Sequence, residues 1–255
     1  MGAGLPGTRT MLTVAFTVSG QRPEYLRRTL DSWAQVRGIQ NARLLLCCEP
    51  LPAGFGEAGL MAFLARNFKH ARMIVSPSRL GCSANTRLAM DVALQEADFA
   101  VLAEEDMVVS TDVLEYFEWA AENFKYDADL AAVCAHSFDC QPQARRRQVV
   151  VTGWFNQMVW GTWNSLWEGV IEPEWGGIEG NPDAWDAGLR ELFSGIGRNC
   201  VFPVVSRSQH IGQTSTLMQW QLAEHFYRQS LSQCFIPDIA PQDYVVVERP
   251  EGLVL

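Results

Sequence analysis

The chain has 255 residues, 48% of them hydrophobic and 19% charged, which suits one large folded core and excludes a disordered or collagen-like polymer. Its net charge of −9 argues against broad, non-specific binding of nucleic acid through a basic surface, although it leaves room for a local basic groove. No apolar run approaches the length of a membrane span, and the first ten residues lack the apolar stretch of a secretory signal. The seven cysteines form no CxxC pair; Cys47, Cys48, Cys134 and Cys200 lie in apolar runs and read as small core residues of a reduced, cytoplasmic protein. In chain order, residues 11–18 are an apolar, β-branched run stopped by Ser19-Gly20, the pattern of a buried strand. Pro23 then opens a helix that places Leu26, Leu30 and Trp33 on one face. Residues 43–48 give a second buried strand, 60–68 a helix, 73–75 a short strand and 85–94 a helix. Residues 99–103 give another strand, and Ser110 caps a helix to about residue 124, with Asp112 in its first turn. Residues 130–135 and 149–151 read as strands. The Trp-rich stretch 154–185 is less regular, and the basic run Arg145-Arg146-Arg147 reads as a solvated loop. Strands alternating with helices over about 130 residues predict an α/β chain with a mostly parallel sheet, followed by a mixed second half in the same domain.

The charge is concentrated. Residues 91–129 hold twelve acids against Lys125 alone, which leaves the rest of the chain at +2. Within that segment Glu104-Glu105-Asp106 directly follows a predicted strand, and ligands of open α/β sheets bind outside the carboxyl ends of strands. Three adjacent acids repel one another unless a cation neutralises them, and a few oxygen ligands completed by phosphates and water suit Mg²⁺ or Mn²⁺. The alternative reading is a solvated turn before an acid-rich helix. The chain has no GxGxxG after its first strand, no P-loop, no GxSxG and no HExxH, and its four histidines are scattered.

Five stretches together resemble the GT-A glycosyltransferases similar to N-acetylglucosaminyltransferase I and its protein O-mannose relative. They are residues 13–33 (TVAFTVSGQRPEYLRRTLDSW), 85–119 with the acidic triplet, 160–167, 184–190 (AWDAGLR) and 200–212 (CVFPVVSRSQHIG). The resemblance implies a Rossmann-like nucleotide-binding half over about residues 10–130, fused to an acceptor half over about 131–255. It implies a UDP-sugar donor, Mn²⁺ and inversion at the anomeric carbon. On the matching positions Asp106 would hold the metal, with His210 a candidate second ligand. Glu105 would bind the ribose and Glu104 the donor sugar. Arg22 and Glu49 would face the nucleotide, Trp160 would lie beside the donor sugar, and Arg207 is a candidate phosphate partner or, equally, half of a structural ion pair. Asn85 stands where the family has a histidine near the base.

The family's Trp-Asp-Asp-Trp run, whose second Asp is the catalytic base, is here Trp185-Asp186-Ala187-Gly188, so Ala187 takes the base position. Inverting transfer needs a base for the acceptor hydroxyl's proton, and Asp186, or Asp183 one turn earlier, is the candidate. Trp175 and Trp185 are the candidate acceptor-stacking residues, near a Gly-rich loop at 175–180, whereas Trp154, Trp163 and Trp167 read as core. The expected acceptor is a saccharide or a hydroxymethylated pyrimidine of viral DNA, in a bacterial or viral setting. A related nucleotidyltransferase and a non-catalytic nucleotide-sugar or glycan-binding homologue are the alternatives.

Overall fold

Apolar strands bounded by Gly, Pro and acidic turns set the order of the first half. The computed structural model describes residues 11–138, 141–178, 185–213, 235–250 and 253. In it, β1 (Thr13–Val18) is followed by α1 (Pro23–Trp33), β2 (Arg43–Cys48), α2 (Glu57–Asn67), β3 (His70–Val75), α3 (Cys82–Leu94) and β4 (Phe99–Glu104). β1 lies between β2 and β4, parallel to both, and β3 extends the parallel run beyond β2. The second half adds β5 (Met107–Val109), α4 (Val113–Asn123), β6 (Leu130–Cys134), β7 (Gln148–Thr152) and β8 (Trp160–Trp163). A short turn, α5 (Asn164–Leu166), runs through a π-helical turn at Trp167–Ile171 into α6 (Glu172–Ile178), so residues expected in a Gly-rich loop are helical as far as Ile178. Then come α7 (Trp185–Gly195), β9 (Asn199–Pro203), β10 (Ser208–His210) and β11 (Val245–Val246).

Nine strands form one sheet in the order β11-β7-β9-β6-β8-β4-β1-β2-β3, while β5 and β10 pair separately as an antiparallel ribbon. β8 joins the two halves by pairing antiparallel with both β4 and β6. A side chain at Gly161 would put its Cβ 2.6 Å from the Phe99 ring and 2.8 Å from the Ala100 carbonyl oxygen, so only glycine lets β8 approach β4 this closely. Just before it Val159 takes φ 57°, a conformation costing about 1–2 kcal/mol for an L-residue; its carbonyl accepts from the Ala135 amide.

Strand alternation gives the sheet two buried faces. Val14, Phe16, Val101 and Ala103 pack against Leu30 and Trp33 of α1 and Phe117 of α4. On the other face Ala15, Ala100 and Leu102 pack with Met90 of α3 and an aromatic cluster of Trp160, Trp167, Trp175 and Trp185. Cys47, Cys48, Cys134 and Cys200 are buried free thiols, as expected; Cys140 and Cys234 lie outside the described residues. Among the described residues no helix is long and apolar enough to cross a membrane.

One buried ion pair ties the second half together. Arg207, read from the sequence as either a phosphate partner or half of a structural ion pair, is fully buried, with its Nε donating to Asp112 Oδ2 at 2.9 Å. Its two terminal nitrogens donate to the carbonyls of Val205 and Arg146. Asp112 is not a solvated first-turn acid. It sits at the N-cap of α4 and also accepts from Ser110 Oγ at 2.7 Å and Tyr244 Oη at 2.8 Å. A charge this deep persists only when its hydrogen-bonding groups are met, which is why Arg207 is spent on structure.

Asp112→Ala leaves the Arg207 charge buried without its counter-ion and should lower unfolding free energy by about 3–5 kcal/mol. Denaturant titration at neutral pH reads this directly; a loss below about 1 kcal/mol would show that the pair is dispensable. Burial pulls the pKa of His136 down to about 3. The unfolded chain therefore takes up a proton as pH falls from about 6.5 towards 3 while the folded chain does not, and stability drops with pH in that window. Relative to His136→Gln, the wild type should show an extra slope of about 1.4 kcal/mol per pH unit there; parallel curves would exclude His136 as the cause.

Candidate active site

Three adjacent parallel strands end side by side, and their carboxyl ends carry the candidate residues. β1 runs into Ser19-Gly20-Gln21-Arg22, β2 into Glu49 and β4 into Glu104-Glu105-Asp106. Arg22 is held in place by the start of α1, where its carbonyl accepts from the amides of Tyr25 and Leu26. From there its guanidinium spans two acids, with Nε 2.8 Å from Glu105 Oε1 and Nη1 2.7 Å from Asp106 Oδ2. Glu105 also accepts from the Ser19 amide at 2.8 Å and the Ser19 hydroxyl at 2.6 Å.

The ribbon of β5 and β10 supplies the remaining cation. Its register places His210 opposite Met107, and the Ile211 amide donates to the Asp106 carbonyl. His210 Nε2 thereby lies 3.3 Å from Asp106 Oδ2. Gly212 completes the arrangement: a Cβ there would collide with Asp106 Oδ2 and lie 2.9 Å from His210 Nε2. Glycine keeps that space open.

The electrostatics follow from packing like charges together. Burial, then the neighbouring Asp106, raises the pKa of Glu104 to about 7, and Asp186 adds to the rise. Burial also raises Glu105, against the pull of Arg22 and Ser19. Burial works to raise Asp106 too, but His210 and Arg22 outweigh it and hold Asp106 below the ordinary carboxylate range. In return, Asp106 and Glu104 overcome the effect of burial on His210 and raise its pKa.

Asp106 Oδ1 is buried and has no partner among the described residues, and the same is true of His210 Nδ1. Asp106 and His210 together offer one carboxylate and one imidazole, a donor set that Mn²⁺ or Mg²⁺ accepts when other oxygens complete it. Among the described residues no group of three or more His, Cys, Asp or Glu could hold an ion by itself.

The other candidates are placed as follows. Both Glu49 carboxylate oxygens accept backbone amides, from Leu80 and from Gly81, at 2.8 Å each. Glu49 thus closes the loop that leads into α3, and Asn85 Nδ2 donates to the Cys47 carbonyl at 3.0 Å on the buried side of the same helix. Asp186 opens α7, pairs with Arg190 at 3.6 Å and is near enough to Glu104 to shift it. Asp183 lies outside the described residues. Trp160, expected beside a donor sugar, and Trp175 and Trp185, expected to stack on an acceptor, are instead core residues. Trp175 and Trp185 stack on each other with ring centroids 6.3 Å apart, and Trp185 packs against Trp160 at 6.4 Å. Trp154, expected in the core, is 42% exposed. In the basic run Arg147 Nε donates to the Asp243 carbonyl and Arg145 to Gln141.

Ser19 and Gly212 escaped sequence reasoning. The signal for Ser19 was its place in the loop after the first strand. Gly212 matters only through its fold neighbours.

The sequence pattern of the GNT-I family matches residues 81–239. Solved structures of similar fold include a mannosyltransferase of Pyrobaculum calidifontis in complex with GDP-Man and Mn²⁺, at 16% identity and TM-score 0.54. That similarity covers 79% of this chain and 56% of the other. TarS of S. aureus (residues 1–349) is similar at 8% identity and TM-score 0.59, over 87% of this chain and 70% of the other. GalNAc-T7 with UDP, GalNAc and Mn²⁺ is similar at 9% identity and TM-score 0.58, over 80% and 44%. The chain thus spans little more than half the length of the mannosyltransferase, and these likenesses establish the GT-A fold.

Glu49→Ala would leave the Leu80 and Gly81 amides without their acceptors. Their hydrogen-exchange protection should fall at least about tenfold while that of β2 is unchanged. Unaltered protection at both amides would show that the loop is held by something other than Glu49.

Proposed function

The chain belongs to the GNT-I family of glycosyltransferases, and from that premise we propose that it is a metal-dependent inverting transferase moving a sugar from a UDP-sugar to an acceptor hydroxyl. The observation that carries this reading is the buried Oδ1 of Asp106, unpartnered among the described residues, beside His210 at the carboxyl ends of the parallel strands. Mannosyltransferase PcManGT and GalNAc-T7, whose folds this chain shares, were solved with Mn²⁺ and with GDP-Man or UDP, which supports the same class of ligand here.

In this reading Asp106 and His210 hold the ion. A bound divalent cation supplies positive charge that stabilises the departing diphosphate. Arg22, already within reach of Asp106, is positioned to share that negative charge. Glu105 and Ser19 line the loop where a ribose would lie, and Glu104 stands closest to the donor sugar. Asp186, on the first turn of a helix anchored by buried Trp185, takes the proton from the attacking hydroxyl as the new bond forms.

Ala187 at the family's base position favours a second reading, a homologue that binds the nucleotide sugar without turning it over. Substitution separates the two. Asp106→Ala should abolish the Mn²⁺-dependent rise in melting temperature produced by UDP-sugars, and turnover with it. Asp186→Asn should leave that rise intact and lower kcat by about 10²-fold or more. An Asp186→Asn enzyme with wild-type kcat would remove Asp186 from the mechanism, and a wild type that binds UDP-sugars but never consumes them would establish the binding protein.

A further inference from the structure

Large aromatic side chains are seldom left in water when a core is available, and this chain buries most of its tryptophans around the active half. Among the described tryptophans Trp154 is the exposed one. It lies between β7 and β8 with 42% of its surface exposed, while its neighbour Phe155 is buried edge-on against Trp160 and Phe193, at 5.2 Å from each. The loop is therefore anchored from below, and the exposed indole sits on a fixed base. One face of that indole carries the Arg190 guanidinium, 4.6 Å from the ring. The same guanidinium pairs with Asp186 at 3.6 Å, and Asp186 acts electrostatically on Glu104. Trp154 is thus linked through one side chain to the candidate base and through that base to the donor site. Arg190 Nε is buried and has no partner among the described residues.

We propose that Trp154 and Arg190 form the acceptor subsite, with Trp154 stacking on a pyranose ring and Arg190 orienting one of its hydroxyls towards Asp186. The proposal rests on the transferase reading above and deepens it by naming the acceptor class. A saccharide fits the local chemistry better than DNA. A sugar presents an apolar face to an aromatic ring and hydroxyl groups to a guanidinium and a carboxylate. A phosphodiester chain would bring its negative charge up against the Asp186 carboxylate.

The test uses the full chain with UDP and Mn²⁺ and, as probes, methyl α-mannoside, methyl β-galactoside, methyl N-acetyl-β-glucosaminide and a single-stranded 12-mer oligodeoxynucleotide. Saturation-transfer NMR measures binding of each. At least one glycoside should bind, Trp154→Ala should raise its Kd at least about fivefold, and Trp154→Phe should restore most of the affinity. The melting-temperature rise with UDP and Mn²⁺ should be the same in all three proteins. A wild type without that rise would overturn the transferase reading by itself. Glycoside affinity unchanged in Trp154→Ala, no binding of any glycoside, or Trp154-dependent binding of the oligonucleotide alone would overturn the acceptor assignment.

Discussion

Three carboxylates in a row at the end of a buried strand are the constraint around which the site is arranged. Glu105 and Asp106 are almost wholly buried, and burial of uncompensated charge is among the largest single costs a fold can carry. The chain meets it with cations brought from far away in sequence. Arg22 reaches Glu105 and Asp106 from the loop after β1, 83 and 84 residues distant. His210 arrives through a three-residue strand that pairs with the strand directly after the triplet. Among the described residues Glu104 makes no ion pair of its own, and burial, then the neighbouring Asp106, raises its pKa.

The second half solves a different problem with similar means. Helix α7 carries Asp186 in its first turn and buries the residue before it. Trp185 is stacked between Trp160 and Trp175, Leu189 and Phe193 continue the apolar face, and Gly188 lets α7 approach Ile178 of α6 closely. Packing of this kind is close to rigid, so the first turn of α7 inherits a defined position from the aromatic cluster. The same economy explains Arg207. It lies two residues before Gln209 and close to His210 in sequence, yet the strand alternation and the acid at Asp112 turn it into the core. Arg22 is left as the guanidinium that touches the triplet.

The first half of the fold was readable because its signals are local. β1, α1, β2 and β4 are apolar runs closed by Gly, Pro or acids, and Pro23–Trp33 and Arg43–Cys48 match the expected bounds. β5 and β10 were not readable: three residues beside a charged turn have no periodicity, and their pairing spans about 100 residues of chain. β8 was hidden because Trp-Gly-Thr-Trp has neither alternation nor a β-branched run, and its place between β4 and β6 depends on a missing side chain at Gly161. The acidic triplet was legible as a cluster, and its position after a strand pointed to ligand chemistry. Trp163 and Trp167 lie in the core as expected, but Trp154 is exposed, and Trp160, Trp175 and Trp185, expected at the ligands, are buried. A Trp is equally apolar in both settings, and only the tertiary stack around Trp185 decides which rings are enclosed.

The division of Asp106 between its two oxygens sets a condition on ligand binding. Oδ2 already faces Arg22 and His210, whereas Oδ1 faces no partner among the described residues. A divalent cation arriving alone meets a carboxylate whose charge is largely balanced, and it adds positive charge next to a guanidinium and an imidazole. A cation arriving with a diphosphate brings two negative charges or more, which Arg22 can face without leaving the site. Coulomb interaction therefore favours joint over separate binding of ion and donor. The favourable term grows as water is excluded from a site that burial has already made low in dielectric. In the proposed transferase, the acids that would repel a nucleotide by themselves would become, with Arg22, His210 and an ion, the means of holding one.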